Sequence, residues 1–197
     1  MIRSIEALNF RCLRHVQRDL GSFHVLVGPN ASGKTTFLDV VSFLGRLVSD
    51  GLEAAVSERT QNFQDLVWGR SGAEFELAIE AEIPANIPEQ LIESGFDRIR
   101  YEVALGTDPP TGEIVIRAEK ALLEKKSLND VEISTNGQHG LFPNPSEPPQ
   151  TILTPRGKKG TRQIISKAPG GNDNFYSEVG QGGICLRSRV FSPAATL

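Results

Sequence analysis

The sequence predicts an α/β lobe: one amphipathic helix set in a mixed sheet, followed by an antiparallel β-meander. Three observations predict it. Residues 23–27, Phe-His-Val-Leu-Val, form a short apolar run that ends at Gly28, the pattern of a fully buried strand. From Lys34 onward, Phe37, Val40, Val41, Leu44, Leu47 and Val48 recur at helical spacing, and Asp50-Gly51 supplies a stop. Across residues 74–83 apolar side chains take every second position with Glu74, Glu76, Glu80 and Glu82 among the alternates. That is the signature of a half-exposed antiparallel strand, and Pro84 ends it.

The remaining elements are read in order. Residues 2–9 and 16–20 form two short strands joined by a turn near residues 11–15. Residues 51–60 make a loop with a helical turn, and residues 63–69 lead into the meander. Its further strands are residues 99–105, with Ile99, Tyr101, Val103 and Leu105 on one side, and residues 113–118; the turn-rich residues 106–112 separate them. Prolines and glycines then accumulate from residue 136 to 174, and only residues 161–166 resemble a strand. Such a composition buries too little apolar area to offset its ordering entropy, so a partly mobile surface segment is expected. Residues 1–135 are therefore read as one lobe and residues 136–197 as a Pro/Gly-rich extension, whose last residues, from Pro193, look like the start of a helix.

A chain of 197 residues can bury a real core, and 39% apolar with 23% charged residues is the composition of a soluble globular protein. No stretch approaches the ~20 apolar residues of a membrane helix. The N-terminus has no apolar signal core, and Cys12 and Cys185 match no metal-ligand spacing, so a reducing, cytoplasmic setting is expected. A net charge of −3 gives no whole-chain footprint for nucleic acid. The basic residues Arg156, Lys158, Lys159 and Arg162 are read as a solvated loop.

Between the expected strand and helix lies Gly28-Pro29-Asn30-Ala31-Ser32-Gly33-Lys34-Thr35. Backbone binding of phosphate needs successive N–H groups facing one cavity, glycines where side chains would collide, and a helix N-terminus whose partial positive charge faces the anion. Gly28 and Gly33 permit the wrap, Lys34 would reach the β- and γ-phosphates, the Thr35 hydroxyl would bind Mg²⁺, and Thr36 adds a helix-start N–H. At average composition the four fixed positions would coincide in roughly one chain of this length in a hundred. The flanking strand and helix patterns make chance a poor account. ATP with Mg²⁺ is the expected ligand.

With those residues in place, the N-terminal part resembles the RecF/SMC-like branch of ABC-type ATPases, including the "AAA family ATPases" related to the overcoming-lysogenization-defect nucleases. Ile5-Glu6-Ala7-Leu8-Asn9-Phe10-Arg11 is similar to that group's opening strand with its Asn-Phe-Arg element, followed by Val25-Leu26-Val27 and the glycine loop through Thr36. The usual form has Gly at Ala31 and often Ser at Thr35. The resemblance covers residues 1–123 and implies a P-loop NTPase N-terminal lobe of ABC/SMC type, with an antiparallel sheet over the loop helix. It implies that Arg11 approaches the nucleotide; as a turn residue Arg11 is equally a solvated side chain. It further implies a nucleotide-sandwiched homodimer, a role on DNA in repair or defence, and a nuclease partner or domain.

The same resemblance calls for an apolar strand ending in Asp-Glu, to orient Mg²⁺ and the attacking water, and for a Leu-Ser-Gly-Gly-Gln-like signature. Neither stands in this sequence, which reads as an isolated N-terminal lobe. Gln181 is open between a Mg²⁺-sensing role and a flexible loop. His15, His24 and His139 are unclustered, His24 being read as a packed core or edge residue and Trp68 as packed in the lobe. The glutamates of residues 74–82 are read as solvent-exposed. A small-molecule P-loop kinase is the competing enzyme, disfavoured because the chain turns to a meander instead of alternating strands and helices. A GTPase lacks its Asn-Lys-x-Asp motif, and a nucleotide-binding fragment that hydrolyses nothing is the third reading.

Overall fold

The computed structural model describes residues 1–84, 95–125 and 147–167. Six strands form one sheet in the order β2-β1-β3-β4-β5-β6. They are β1 Ile2–Phe10, β2 Leu13–Asp19, β3 Glu74–Glu82, β4 Arg98–Thr107, β5 Ile114–Glu124 and β6 Thr161–Lys167. Between β2 and β3 come the helices α1, Lys34–Asp50, and α2, Leu52–Ser57, and two 3-10 turns at Phe63–Leu66 and Trp68–Arg70. The α/β class, the loop helix and the meander stand as the sequence indicated.

One face of the sheet carries the core. Strand alternation sends Ile5 and Ala7 of β1 toward α1, and Asn9, in the left-handed region at φ 57°, shifts the parity so that Phe10 joins them. From α1 the core takes Phe37, Val40, Phe43, Leu44 and Leu47; Val41 and Val48 lie at its margin, partly buried. Phe43, absent from the expected stripe, is its centre: its ring meets Phe10 at 5.7 Å and Phe75 at 5.7 Å, both edge-on, a geometry that suits the ring quadrupoles.

Residues 23–27 correct the sequence reading. They form no regular element and pair with no strand, and Phe23, Val25, Leu26 and Val27 are 82%, 67%, 42% and 68% exposed. A buried strand between β2 and α1 would be a parallel one supplied with neighbours by βαβ crossovers. Here β1 is flanked by β2 and β3, and all the pairings are antiparallel, so the described sheet offers this run no interior position. Among the described residues the sheet is accordingly antiparallel and not the mixed one expected.

The opposite face corrects a second expectation. Glu76 is buried and Glu80 largely so, because the segment 147–155 crosses over them as a strap. The strap lies outside the sheet ladder, so its N–H groups need other acceptors. Ile152 N–H donates to Glu76 Oε2 at 2.6 Å, Thr154 N–H to Glu102 Oε2 at 2.8 Å, and the Thr151 hydroxyl to Glu76 at 2.8 Å. Arg100 balances the carboxylates, donating to Glu102, Glu80 and Glu6 at 2.6, 3.0 and 2.8 Å and to Ile152 O at 3.1 Å. Burial opposes its charge, but the bonds to Glu102 and Glu6 outweigh it and raise its pKa. Burial also pushes the Glu76 carboxyl above its ordinary 4.5, against the pull of the Ile152 N–H and Thr151 hydroxyl. Beyond the strap, β6 pairs with β5, as the pattern of residues 161–166 indicated.

Two measurements check this packing. Phe43→Ala should lower the unfolding free energy by about 3–5 kcal/mol, whereas Leu38→Ala on the exposed flank should stay within about 0.5 kcal/mol. A carboxyl with a raised folded pKa holds its proton more tightly folded than unfolded, so its contribution to stability is largest at low pH and declines as pH rises through that pKa. The stability of the wild type relative to Glu76→Gln should therefore decrease as pH climbs from 4.5, and an increase over that window would contradict the burial account.

Candidate phosphate-binding site

The glycine loop turns directly into α1. Gly33 occupies the N-cap position at φ 88° and ψ 3°, no side chain caps the helix, and no acid stands in its first turn. The partial positive charge of the helix start is thus left for an external anion. Gly33 is required twice over: its φ is left-handed, and a Cβ there would lie 3.1 Å from Leu13 Cδ2 and 3.4 Å from Cys12 Sγ. At Gly28 a Cβ would meet Ser32 Oγ at 2.9 Å, which shows how tightly the loop curls. Ala31 also sits in the left-handed region, at φ 63°, so the position where the resembled family carries glycine does have a glycine-like backbone here.

Lys34 reaches back across this arc. Its Nζ donates to Gly28 O at 2.8 Å, Pro29 O at 2.7 Å and Ser32 Oγ at 3.1 Å, holding an ammonium over the concave side of the loop. Thr35 is exposed and Thr36 half-buried; the Thr36 hydroxyl accepts from the Cys12 thiol at 3.2 Å. Pro29, Asn30, Ala31 and Ser32 all lie at the surface. The arrangement can surround a compact anion with backbone N–H groups and one cation, and it leaves a hydroxyl, Thr35, open to a hard metal ion.

Arg11 comes to the same end of α1, but not onto the loop. Its NH1 donates to Asp39 Oδ2 at 3.0 Å, and its backbone N–H to Leu66 O at 2.8 Å. Asp39 is held in turn by Arg59, through NH2 to Oδ1 at 2.7 Å and Nε to the same oxygen at 3.0 Å. Sequence reasoning missed Cys12, Asp39 and Arg59 as neighbours of the loop. Asp39 had one signal, as the lone acid in the first two turns of the helix; Arg59 had none.

Other sequence expectations fall elsewhere. His24 is exposed, not packed, and its Nε2 accepts from Gly21 N–H, because the run that carries it lies outside the sheet. His15 meets Glu6 at 3.4 Å on the strap side. Trp68 is 40% exposed with the Arg14 guanidinium 5.1 Å from its ring centre, a cation–π contact at the surface instead of a packed indole. His139, Gln181 and Cys185 lie outside the described residues. A cleft of about 770 Å³ opens on the strap side between Glu6, Glu80 and Arg100. Its one buried cation already donates to Glu6, Glu80, Glu102 and Ile152 O, which suits it poorly to an anionic ligand. Among the described residues no cluster of three or more His, Cys, Asp or Glu side chains is placed to hold a metal, and no helix is long and apolar enough to cross a membrane.

Residues 23–137, more than half of the chain, match the protein family described as "AAA domain, putative AbiEii toxin, Type IV TA system". A stretch of 44 residues, 22% of the chain, is 39% identical to an OLD nuclease of Thermus scotoductus (strain ATCC 700910 / SA-01) and spans 8% of that protein. A solved structure from work on ATP-driven dimerization and DNA-stimulated activation of SMC ATPases superposes with a TM-score of 0.41 at 21% identity, over 67% of this chain and 74% of that one.

The loop backbone makes a paired prediction for chemical denaturation. Gly33→Ala should cost about 1–2 kcal/mol or more, since it combines a left-handed φ with a close contact to Leu13. Ala31→Gly relieves the same strain at φ 63° and should leave stability equal or higher.

Proposed function

The chain belongs to this AAA domain family of P-loop ATPases, and on that premise we propose that residues 28–36 bind ATP with Mg²⁺. The observation that carries the proposal is the Lys34 ammonium held over a loop that closes through left-handed Gly33 into an uncapped helix. The carbonyls of Gly28 and Pro29 that now accept from Nζ are exchangeable partners, and phosphate oxygens, being charged, are stronger ones. In this reading the N–H groups from Gly33 to Thr36 face the phosphates, Lys34 bridges the β- and γ-phosphates, and the Thr35 hydroxyl holds Mg²⁺. The ion supplies charge neutralisation at the phosphates.

Hydrolysis is a separate matter. The sequence holds no Asp-Glu pair at the end of an apolar strand, so the proposal is nucleotide binding by residues 1–135, with turnover conditional on a lobe that brings those carboxylates and a signature motif. The exposed apolar run of residues 23–27, outside every ladder among the described residues, supports that reading, since it has the side chains of an interior strand. A homodimer closed around nucleotide, a DNA-related role in repair or defence, a nuclease partner or domain and a cytoplasmic location complete the proposal. The family resemblance supports the homodimer and the DNA-related role, and the short match to an OLD nuclease supports the nuclease partner or domain. The antiparallel sheet that follows α1 speaks against a small-molecule kinase.

Calorimetric titration tests the binding step. Mg·ATP should bind the wild type, and Lys34→Ala should weaken it by about tenfold or more, the loss of a charge-assisted contact of about 1.5–3 kcal/mol. Equal affinities in the two proteins would overturn the assignment.

A further inference from the structure

The loop is not free-standing, because the β1–β2 turn is packed against it. A Cβ at Gly33 would touch Leu13 Cδ2 and Cys12 Sγ, and the Cys12 thiol donates to the Thr36 hydroxyl at 3.2 Å. The turn is itself a conformation that needs support: Asn9 and Arg11 both have left-handed backbones, at φ 57° and 52°, each costing about 1–2 kcal/mol for a side chain other than glycine. On the α1 side it is held by the bond from Arg11 NH1 to Asp39 Oδ2 at 3.0 Å, beside the weaker thiol contact of Cys12 with Thr36.

Asp39 is the hub. It lies five residues beyond Lys34, about 7.5 Å down the helix axis. Arg59 engages it as a fork, with NH2 on Oδ1 at 2.7 Å and Nε on Oδ1 and Oδ2 at 3.0 and 3.1 Å. Arg59 is itself fixed: only 10% exposed, it donates from NH1 to Ala55 O at 2.9 Å, and its guanidinium stands 5.1 Å from the Phe43 ring centre. The two arginines thus differ. Arg59 is a part-buried fork that anchors the carboxylate, and Arg11, 41% exposed, takes what remains of Oδ2.

We infer that Asp39 and Arg59 are positioning residues for the phosphate loop, acting through Arg11 and the β1–β2 turn to set where Gly33 and Thr36 present their N–H groups. The inference rests on the nucleotide-binding reading for its functional consequence, but its structural half does not. Removing the Asp39 charge leaves Arg59 with only Glu58 and Ala55 O as acceptors and releases Arg11, the turn loses its ionic tie to α1, and the wall that Leu13 and Cys12 form against Gly33 moves. Donors aimed at a phosphate lose their geometry over shifts of an ångström or less.

Cys12 supplies a direct readout, since it is an exposed free thiol on that wall. In a Cys185→Ser background it is the sole thiol of the chain, and its rate of reaction with a chromogenic aromatic disulfide reports the position of the turn without nucleotide. Asp39→Asn should speed that reaction severalfold and raise the Kd for Mg·ATP by about tenfold at temperatures where the variant remains folded. Asp39→Glu should restore part of both, and adding Arg11→Ala to Asp39→Asn should change little further, because both act on one tie. Arg46→Ala, at the far end of α1 where Arg46 pairs with Asp50 at 2.8 Å, should move neither. A fall in thermal midpoint with thiol rate and Kd both within about twofold of wild type, or additive effects of Asp39→Asn and Arg11→Ala, would overturn the inference. If Asp39→Asn does not fold, Arg59→Lys, which keeps the charge and loses the fork, is read by the same criteria. A wild type that binds no Mg·ATP sinks the proposed function alone, and the thiol rate still decides the positioning claim.

Discussion

The structure depends on one division of labour within α1: its apolar side is committed to the sheet while its first turn is committed to nothing. Phe37, Val40, Phe43, Leu44 and Leu47 fix the helix against β1 and β3 through a cluster of phenylalanine rings. Because that packing holds the helix, the N-terminus can do without the capping side chain that an isolated helix would need, and Gly33 leaves it bare. A loop that curls back under its own lysine then meets a fixed array of N–H groups. Burial of apolar area, a non-directional effect, thereby becomes the means of aiming directional donors.

The two faces of the sheet solve different problems. Toward α1 the solution is aromatic and aliphatic packing. On the strap side, carboxylates stand where an apolar layer would otherwise be, and the strap satisfies them with its own N–H and hydroxyl groups while Arg100 offsets their charge. Removing one partner from such a network leaves a buried charge uncompensated, a larger effect than the net worth of the pair. Glu76 and Glu102 thus tie the strap to this sheet by accepting from it, Arg100 and Lys120 by donating to its carbonyls, and β6 extends the sheet from its far end.

The fold was legible where periodicity was clean. The alternation of β3 and the helical stripe of α1 each placed their element, and Phe43 escaped the stripe only because it sits beside Leu44 on a face wider than the strict repeat. The glycine loop was legible because its residue types are dictated by backbone geometry, which the left-handed Gly33 and Ala31 display. What sequence could not show was long-range. Residues 23–27 have the composition of a buried strand, but composition does not say whether neighbours exist. The burial of Glu76 depends on a strap about 75 residues away, with Ile152 as its partner, and the tie between Arg11, Asp39 and Arg59 joins three separate stretches of chain.

The central claim is that the donors at the start of α1 receive a phosphate chain. The most direct test is a nuclear magnetic resonance titration of the ¹⁵N-labelled protein with Mg·ATP, following backbone amides throughout the chain. The account predicts that the largest shifts fall on Gly33, Lys34, Thr35 and Thr36, with smaller ones on Cys12 across the Thr36 contact. Shifts concentrated instead around Arg100 and Ile152 in the strap-side cleft, with the loop amides unmoved, would contradict it.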